Sequence, residues 1–264
     1  MPEGHTIHRA ARDQSRVFVG IPLQVSSPQG RFSEGASALD GQRLMAIGAH
    51  GKHLFYRFED GELLHVHLGL FGKFRQSTGT DVEARGAIRL RLVSADTTLD
   101  LRGPTACELI DGDAYAALMA RLGPDPLRPG TDPEPFFARA RRSRVAIGTL
   151  LLDQSAIAGV GNVFRAEALF VCGIDPTSES RSLSQTGLEE LWETIVAMLR
   201  AGVKSGRIVT VDPAEVGRPR NKMRRGERNY VYRRTTCLRC ETPVAKTELA
   251  ARNMFTCPTC QPKA

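Results

Sequence analysis

The chain has 264 residues, enough for one large or two ordinary domains, each with its own core. Lys+Arg 36 against Asp+Glu 29 gives a formal net charge of +7, and the excess gathers toward the C-terminus, which points to a polyanionic partner. No apolar run approaches the roughly 20 residues of a membrane span, and no basic-then-apolar leader opens the chain, so the expectation is a cytoplasmic protein with reduced thiols and no membrane partner.

The chain begins Met1-Pro2-Glu3-Gly4. Methionine ahead of a small residue is commonly removed, which leaves Pro2 as a free secondary amine. An α-amino group has a reference pKa of about 8 against about 10.4 for lysine, so far more of it is neutral near pH 7. A neutral amine can attack an electrophilic sugar carbon and form an iminium, and Glu3 beside it can donate or accept a proton. Read alone, the same residues are an ordinary helix start. Ile7, Ala10, Ala11, Gln14 and Val17/Phe18 then recur at helical spacing and stop at Gly20.

Alternating stretches follow at 23–27, 41–47, 52–58, 63–68, 87–93 and 97–101, separated by turn signals such as Glu59-Asp60-Gly61. They predict an antiparallel β-sandwich or barrel. His65 and His67 share one strand face; with no third ligand in view, strand packing is the simpler reading. A helix over 114–122 ends at Gly123-Pro124, and the Pro/Gly-rich stretch 123–130 reads as a linker. The fold class is therefore α+β, with a sandwich over 1–122, a helical domain over 131–227 and a hairpin over 228–264.

Beyond the linker, short helices are expected at 135–141, 144–153 and 163–172, and a longer one from about Leu183 to Leu199, opened by Ser182 and Gln185 as a capping box. Between them, Gly159 and Gly161 let backbone amides approach a partner closely. Asn162 stands where the next helix begins, as an expected N-cap. Such a joint can bind a phosphate at the positive end of the helix, or can be a plain capped hairpin.

Cys237, Cys240, Cys257 and Cys260 read C-x2-C-x16-C-x2-C, the spacing of a structural zinc ribbon, with two disulfides as the alternative. Around them, Arg218, Arg220, Lys222, Arg224, Arg225, Arg228, Arg233, Arg234 and Arg239 are opposed by Glu227 alone. On these features by themselves, a non-catalytic zinc-ribbon nucleic-acid binder fits as well as an enzyme does.

Four segments, in order and spanning nearly the whole chain, resemble the formamidopyrimidine-DNA glycosylase/endonuclease VIII family of base-excision repair enzymes. They are Met1-Pro2-Glu3-Gly4, Gly51-Lys52-His53-Leu54, Asp153-Gln154 with Ala158-Gly159-Val160-Gly161-Asn162, and Arg252 to Gln261. The resemblance implies a β-sandwich, a helix–two-turn–helix and a zinc finger holding one Zn2+. It implies that a monomer acts on damaged DNA held between the lobes, with duplex, single-stranded and bubble contexts left open, in a bacterial cytoplasm.

By the same resemblance, Pro2 attacks the anomeric carbon, Glu3 assists sugar-ring opening, and β,δ-elimination cuts the strand. Lys52 contacts a phosphate or assists elimination, while Asn162 and Arg252 grip phosphates beside the lesion. His67-Leu68-Gly69-Leu70-Phe71-Gly72 matches the family's intercalation loop, which nominates Leu70 and Phe71 to fill the gap left by the extruded nucleotide. Two core side chains at a strand end are the alternative. Gly4 fits the endonuclease VIII branch. The stretch 101–107 lacks the arginine and phenylalanine fillers of the purine-repairing branch, so oxidised pyrimidines are the expected lesions. Thr6 stands where the family usually has a second glutamate.

Overall fold

The computed structural model describes residues 2–263, and the chain divides into two compact units, Met1–Arg121 and Leu122–Ala264. In the first, α1 (Gly4–Phe18) buries Ile7, Ala11 and Phe18 at the spacing read from the sequence, and it packs on the strands Leu44–His50 and His53–Phe58. The one polar member of that stripe, Gln14, is satisfied by the Tyr56 hydroxyl, which donates to its Oε1 at 2.5 Å.

Two four-stranded antiparallel sheets follow. One has the order β1 (Gln24–Ser26), β6 (Ile88–Val93), β7 (Thr97–Arg102), β5 (Lys73–Thr78). The other has β2 (Leu44–His50), β3 (His53–Phe58), β4 (Leu63–His67), β8 (Ala106–Ile110). Val25, Leu90, Leu92, Leu99 and Leu101 of the first meet Leu54, Tyr56, Leu64 and Val66 of the second in one core, the sandwich expected from the alternation.

Three elements were not expected. The strand β5 is a polar edge with little burial, α2 (Ser33–Leu39) is short and rich in small residues, and β8 carries Glu108 outward. None shows a strong hydrophobic period. Helix α3 (Gly112–Ala120) closes this unit, with the Asp111 carboxylate accepting from Ala114 N–H as its cap.

The second unit holds α4 (Glu134–Arg142), α5 (Ile147–Leu150), α6 (Asn162–Val171), α7 (Gln185–Ser205), the single turn α8 (Pro213–Val216), and the hairpin β9 (Ala245–Leu249) and β10 (Arg252–Thr256). Residues 123–130, expected as a linker, open this unit and pack on it. Gly123 N–H donates to Gln154 O at 2.9 Å, Ala158 N–H donates to Pro124 O at 3.0 Å, and Asp125 is buried.

Helix α7 buries Leu188, Leu191, Trp192, Ile195, Met198 and Leu199. Its cap is Ser184, whose hydroxyl accepts from Gly187 N–H, and not the expected Ser182, which sits in a preceding 3-10 turn and donates to Glu179 O. A chain reversal at Gly206, φ 70, ends the helix. Among the described residues no helix is long and apolar enough to cross a membrane.

Candidate functional site

In the first unit, Pro2 lies just ahead of α1 and lines an open cavity of about 510 Å³ together with Thr6, Arg9, Asp13, Leu68 and Lys73. Glu3 occupies the N-cap position of α1 and is fully buried; its carbonyl accepts from Thr6 N–H at 2.8 Å. The helix start beside the cavity mouth favours negative charge there.

Lys52 is half-buried in the turn joining β2 to β3. Gly51 beside it takes φ 55, a left-handed value that suits glycine and brings His50 opposite His53.

Leu70 and Phe71 stand at the tip of the loop between β4 and β5, 52% and 84% exposed, so neither belongs to the core. The loop is a tight closure rather than a slack connection. Gly72 N–H donates to Leu68 O at 2.9 Å. A Cβ at Gly69 would collide with the Thr105 hydroxyl, and one at Gly72 with the Leu68 carbonyl. Glycine at both positions lets the loop close this tightly, and the two large apolar side chains between them are left exposed.

In the second unit the joint between α5 and α6 is stapled by Gln154. Its Nε2 donates to the carbonyls of Leu152 and Val160, and its Oε1 accepts from Gly159 N–H, all at 3.0 Å. The cap of α6 is Gly161, not Asn162. Asn162 is the first helical residue and is buried. Its Nδ2 donates to Asn253 O at 2.9 Å, and its Oδ1 accepts from Arg165 at 2.5 Å. An amide nitrogen has two hydrogens, so one remains for an outside acceptor.

Arg165, fully buried, also donates to the carbonyls of Gly148 and Leu249. It thereby joins α5, α6 and the strand β9. Gly148 allows this approach, because a Cβ there would stand 2.8 Å from a Leu249 methyl and 2.9 Å from Pro176 O. Arg252 follows at the exposed tip of the β9–β10 hairpin, next to Asn253. The structure thus brings Asn162 and Arg252 together through Asn253. Sequence reasoning missed Arg165, for which the only signal was a charged residue on the apolar side of a short helix.

The four cysteines bring their sulfurs to within 4.8 Å of one another. Two knuckles make this possible. Glu241 N–H donates to Cys237 O with Glu241 at φ 60, and Gln261 N–H donates to Cys257 O while its side chain accepts from Cys257 N–H. Tetrahedral zinc with Zn–S near 2.3 Å sets sulfurs about 3.8 Å apart, so the cluster fits that ion. The Thr242 hydroxyl and N–H pull the Cys240 thiol down to about 6, while burial pushes the Cys237 and Cys260 thiols up. Among the described residues this is the only such cluster; His65 and His67 are not part of one, although His53 lies beside both.

Three family descriptions match in succession: formamidopyrimidine-DNA glycosylase N-terminal domain over residues 1–106, formamidopyrimidine-DNA glycosylase H2TH domain over 122–213, and zinc finger found in FPG and IleRS over 236–263. The chain is 45% identical over 267 residues to endonuclease 8 1 of Mycobacterium bovis, covering 99% of this chain and 100% of that protein. The chain belongs to the formamidopyrimidine-DNA glycosylase/endonuclease VIII family.

A more distant member, formamidopyrimidine-DNA glycosylase of Thermomicrobium roseum, is 31% identical over 290 residues, covering 99% of each chain. Among solved members, the Lactococcus lactis Fpg in complex with DNA containing an abasic site superposes with a TM-score of 0.83 at 25% identity, over 99% of this chain and 100% of that one. The same enzyme with DNA containing an oxidised pyrimidine gives 0.81 at 26%, over the same shares. As in the family's zinc finger, Cys237, Cys240, Cys257 and Cys260 hold one structural zinc ion.

Proposed function

We propose that this protein is a base-excision repair DNA glycosylase with apurinic/apyrimidinic lyase activity, and that Pro2 is its nucleophile. The observation that carries the reading is the position of Pro2 at an open cavity ahead of α1, in a chain that matches this family end to end. Once Met1 is removed, the Pro2 nitrogen is a secondary amine, neutral in appreciable part near pH 7.

The nitrogen attacks C1′ of the damaged nucleotide, the bond from C1′ to the base breaks, and the base leaves with a proton. Glu3, beside the nucleophile, protonates the ring oxygen as the sugar opens, leaving an iminium between Pro2 and C1′. Loss of a C2′ proton expels the 3′ phosphate, and a second elimination expels the 5′ phosphate. Water then releases the proline. Lys52, Asn162 and Arg252 bind the phosphates, Arg252 with the planar fork that suits them. Leu70 and Phe71 fill the space left by the extruded nucleotide. The zinc ion holds the finger in shape.

Oxidised pyrimidines and abasic sites are the proposed substrates. Gly4 and the absence of fillers in 101–107 support this, as does the 45% identity to a protein named endonuclease 8. The enzyme is proposed to act as a monomer on DNA in the bacterial cytoplasm, with residues 217–225 adding positive charge.

Borohydride reduction during reaction with an abasic duplex tests the chemistry. A covalent adduct located at Pro2 by mass spectrometry is expected, and binding without adduct by protein that lacks Met1 rejects it. A lesion panel in single- and double-stranded oligonucleotides tests the preference, and faster release of 8-oxoguanine than of thymine glycol reverses it.

A further inference from the structure

The outer face of the sheet β2-β3-β4-β8 carries a row of histidines that the proposed reaction leaves unused. His50, His53 and His67 are direct cross-strand neighbours on three adjacent strands, and His65 pairs with Glu108 on the next. The rings are stacked. His53 lies 4.8 Å from His67 and 5.1 Å from His65, centroid to centroid, and Phe55 stands 5.4 Å from His65. Tyr115 of α3 meets Phe55 edge-on at 5.0 Å and closes the far end of the stack.

Hydrogen bonds give this stack a direction. His65 Nδ1 is 3.0 Å from Glu108 Oε1, and His65 Nε2 is 2.9 Å from His53 Nδ1. A carboxylate only accepts, so a neutral His65 carries its proton on Nδ1 and presents a lone pair at Nε2. That lone pair in turn requires a proton on Nδ1 of His53. Glu108 thus sets the tautomer of His65, and His65 sets that of His53. His53 is the residue next to Lys52, and its cross-strand partner His50 is the residue before Gly51. His53, at one end of the two-residue turn that carries Lys52, is therefore part of the stack, and His50, at the other end, pairs with it across the strands.

We propose that His53 and His65, oriented by Glu108, are positioning residues for Lys52: the chain of hydrogen bonds and stacked rings holds the Gly51-Lys52 turn so that the ammonium group meets the DNA phosphate or the eliminating sugar at one place. This rests on the lyase reading above.

The electrostatics agree with the geometry. Burial lowers the pKa of His53 to about 3, helped by His67, His65, His50 and Arg121, and burial, His65 and Lys52 lower that of His67. Both shifts favour the neutral imidazole, so these two rings add no competing cation beside Lys52.

The test is a double-mutant cycle between His65→Phe and Lys52→Ala, read as single-turnover strand cleavage of an abasic duplex. His65→Phe keeps a ring in the stack and removes both hydrogen bonds. Alone it is expected to slow cleavage about tenfold, the scale of a small misplacement of a catalytic group, and in the Lys52→Ala background to have no further effect. His65→Gln, which can still accept from His53, restores most of the rate. Losses that multiply, or full activity of His65→Phe, overturn the proposal.

If His65→Phe fails to fold, Glu108→Ala carries the same cycle, because that side chain is 56% exposed and supports no core. Wild-type protein that traps no adduct defeats the lyase reading instead. The positioning claim then answers to ring-nitrogen NMR, which must find His53 and His65 both as Nδ1–H tautomers; mixed tautomers overturn it.

Discussion

Arg165 donates to the Asn162 side-chain oxygen at 2.5 Å, three residues away on α6. The proposed phosphate ligand is thus held in one orientation by a buried cation, whose other hydrogen bonds reach the α5 start and the hairpin strand β9. One side chain sets the geometry of both Asn162 and the approach to Arg252.

Replacing Arg165 with Met keeps most of the volume but leaves the Gly148 and Leu249 carbonyls and the Asn162 oxygen short of a donor. At 1–3 kcal/mol for each unsatisfied buried acceptor, a loss of about 3 kcal/mol is expected. Urea unfolding of the full chain checks this through a lower midpoint. A midpoint unchanged from wild type would mean that the three acceptors find other donors.

Phe71 presents the opposite case. At 84% exposure it contributes little to the core, so Phe71→Ala should leave the melting temperature unchanged. Its affinity for a duplex bearing a lesion should fall roughly tenfold, since stacking a base on an aromatic ring contributes about 1–3 kcal/mol. Paired thermal and binding measurements separate the two effects.

His5 is held down to about 4 by burial first and then by the charged chain terminus, and His53 to about 3. In the unfolded chain both take up protons near pH 6.5, whereas in the folded protein they do so only well below that. The unfolded state therefore binds more protons between those values, and stability falls as pH drops from about 6.5 toward 4. Each histidine contributes a slope of up to about 1.4 kcal/mol per pH unit in that window. Unfolding midpoints at pH 7.5 and 5.0 should show the fall, and His5→Gln should flatten it.

The finger makes a prediction of its own. Elemental analysis should find one zinc per chain, and Cys240→Ser should lose it together with DNA affinity. Arg252→Ala, with zinc retained, should reduce the slope of log affinity against log salt by about one unit. An unchanged slope removes Arg252 from the interface.

At the tip of that hairpin, Ala250 and Ala251 both take left-handed backbone angles, φ 57 and 53, which favour glycine or asparagine. Ala250→Asn with Ala251→Gly should raise stability by about 1–2 kcal/mol, read as a higher melting temperature.

Much of the architecture was legible because it is local. The apolar spacing of α1 and α7 and the alternation of β3 and β4 appear in the chain as written. The strand β5 was not legible, because an edge strand wet on most positions has no reason to alternate. Ser182 and Ser184 both carry capping chemistry, and packing around Glu179 put the former in its own turn. Asn162 looked like a cap, but Gly161 took that position and left the Asn162 amide and oxygen to Asn253 and Arg165.

The order of residues alone marked the two Cys-x2-Cys pairs, the glycine-flanked stretch around Leu70 and Phe71, and the proline at the start, since each is a pattern within a few residues. Strand register and packing decided that His53 meets His65 across 12 residues, that Asn162 meets Asn253 across 91, and that a charged arginine is enclosed among carbonyls. A hydrogen bond acts over about 3 Å, and only the folded chain brings such distant positions that close.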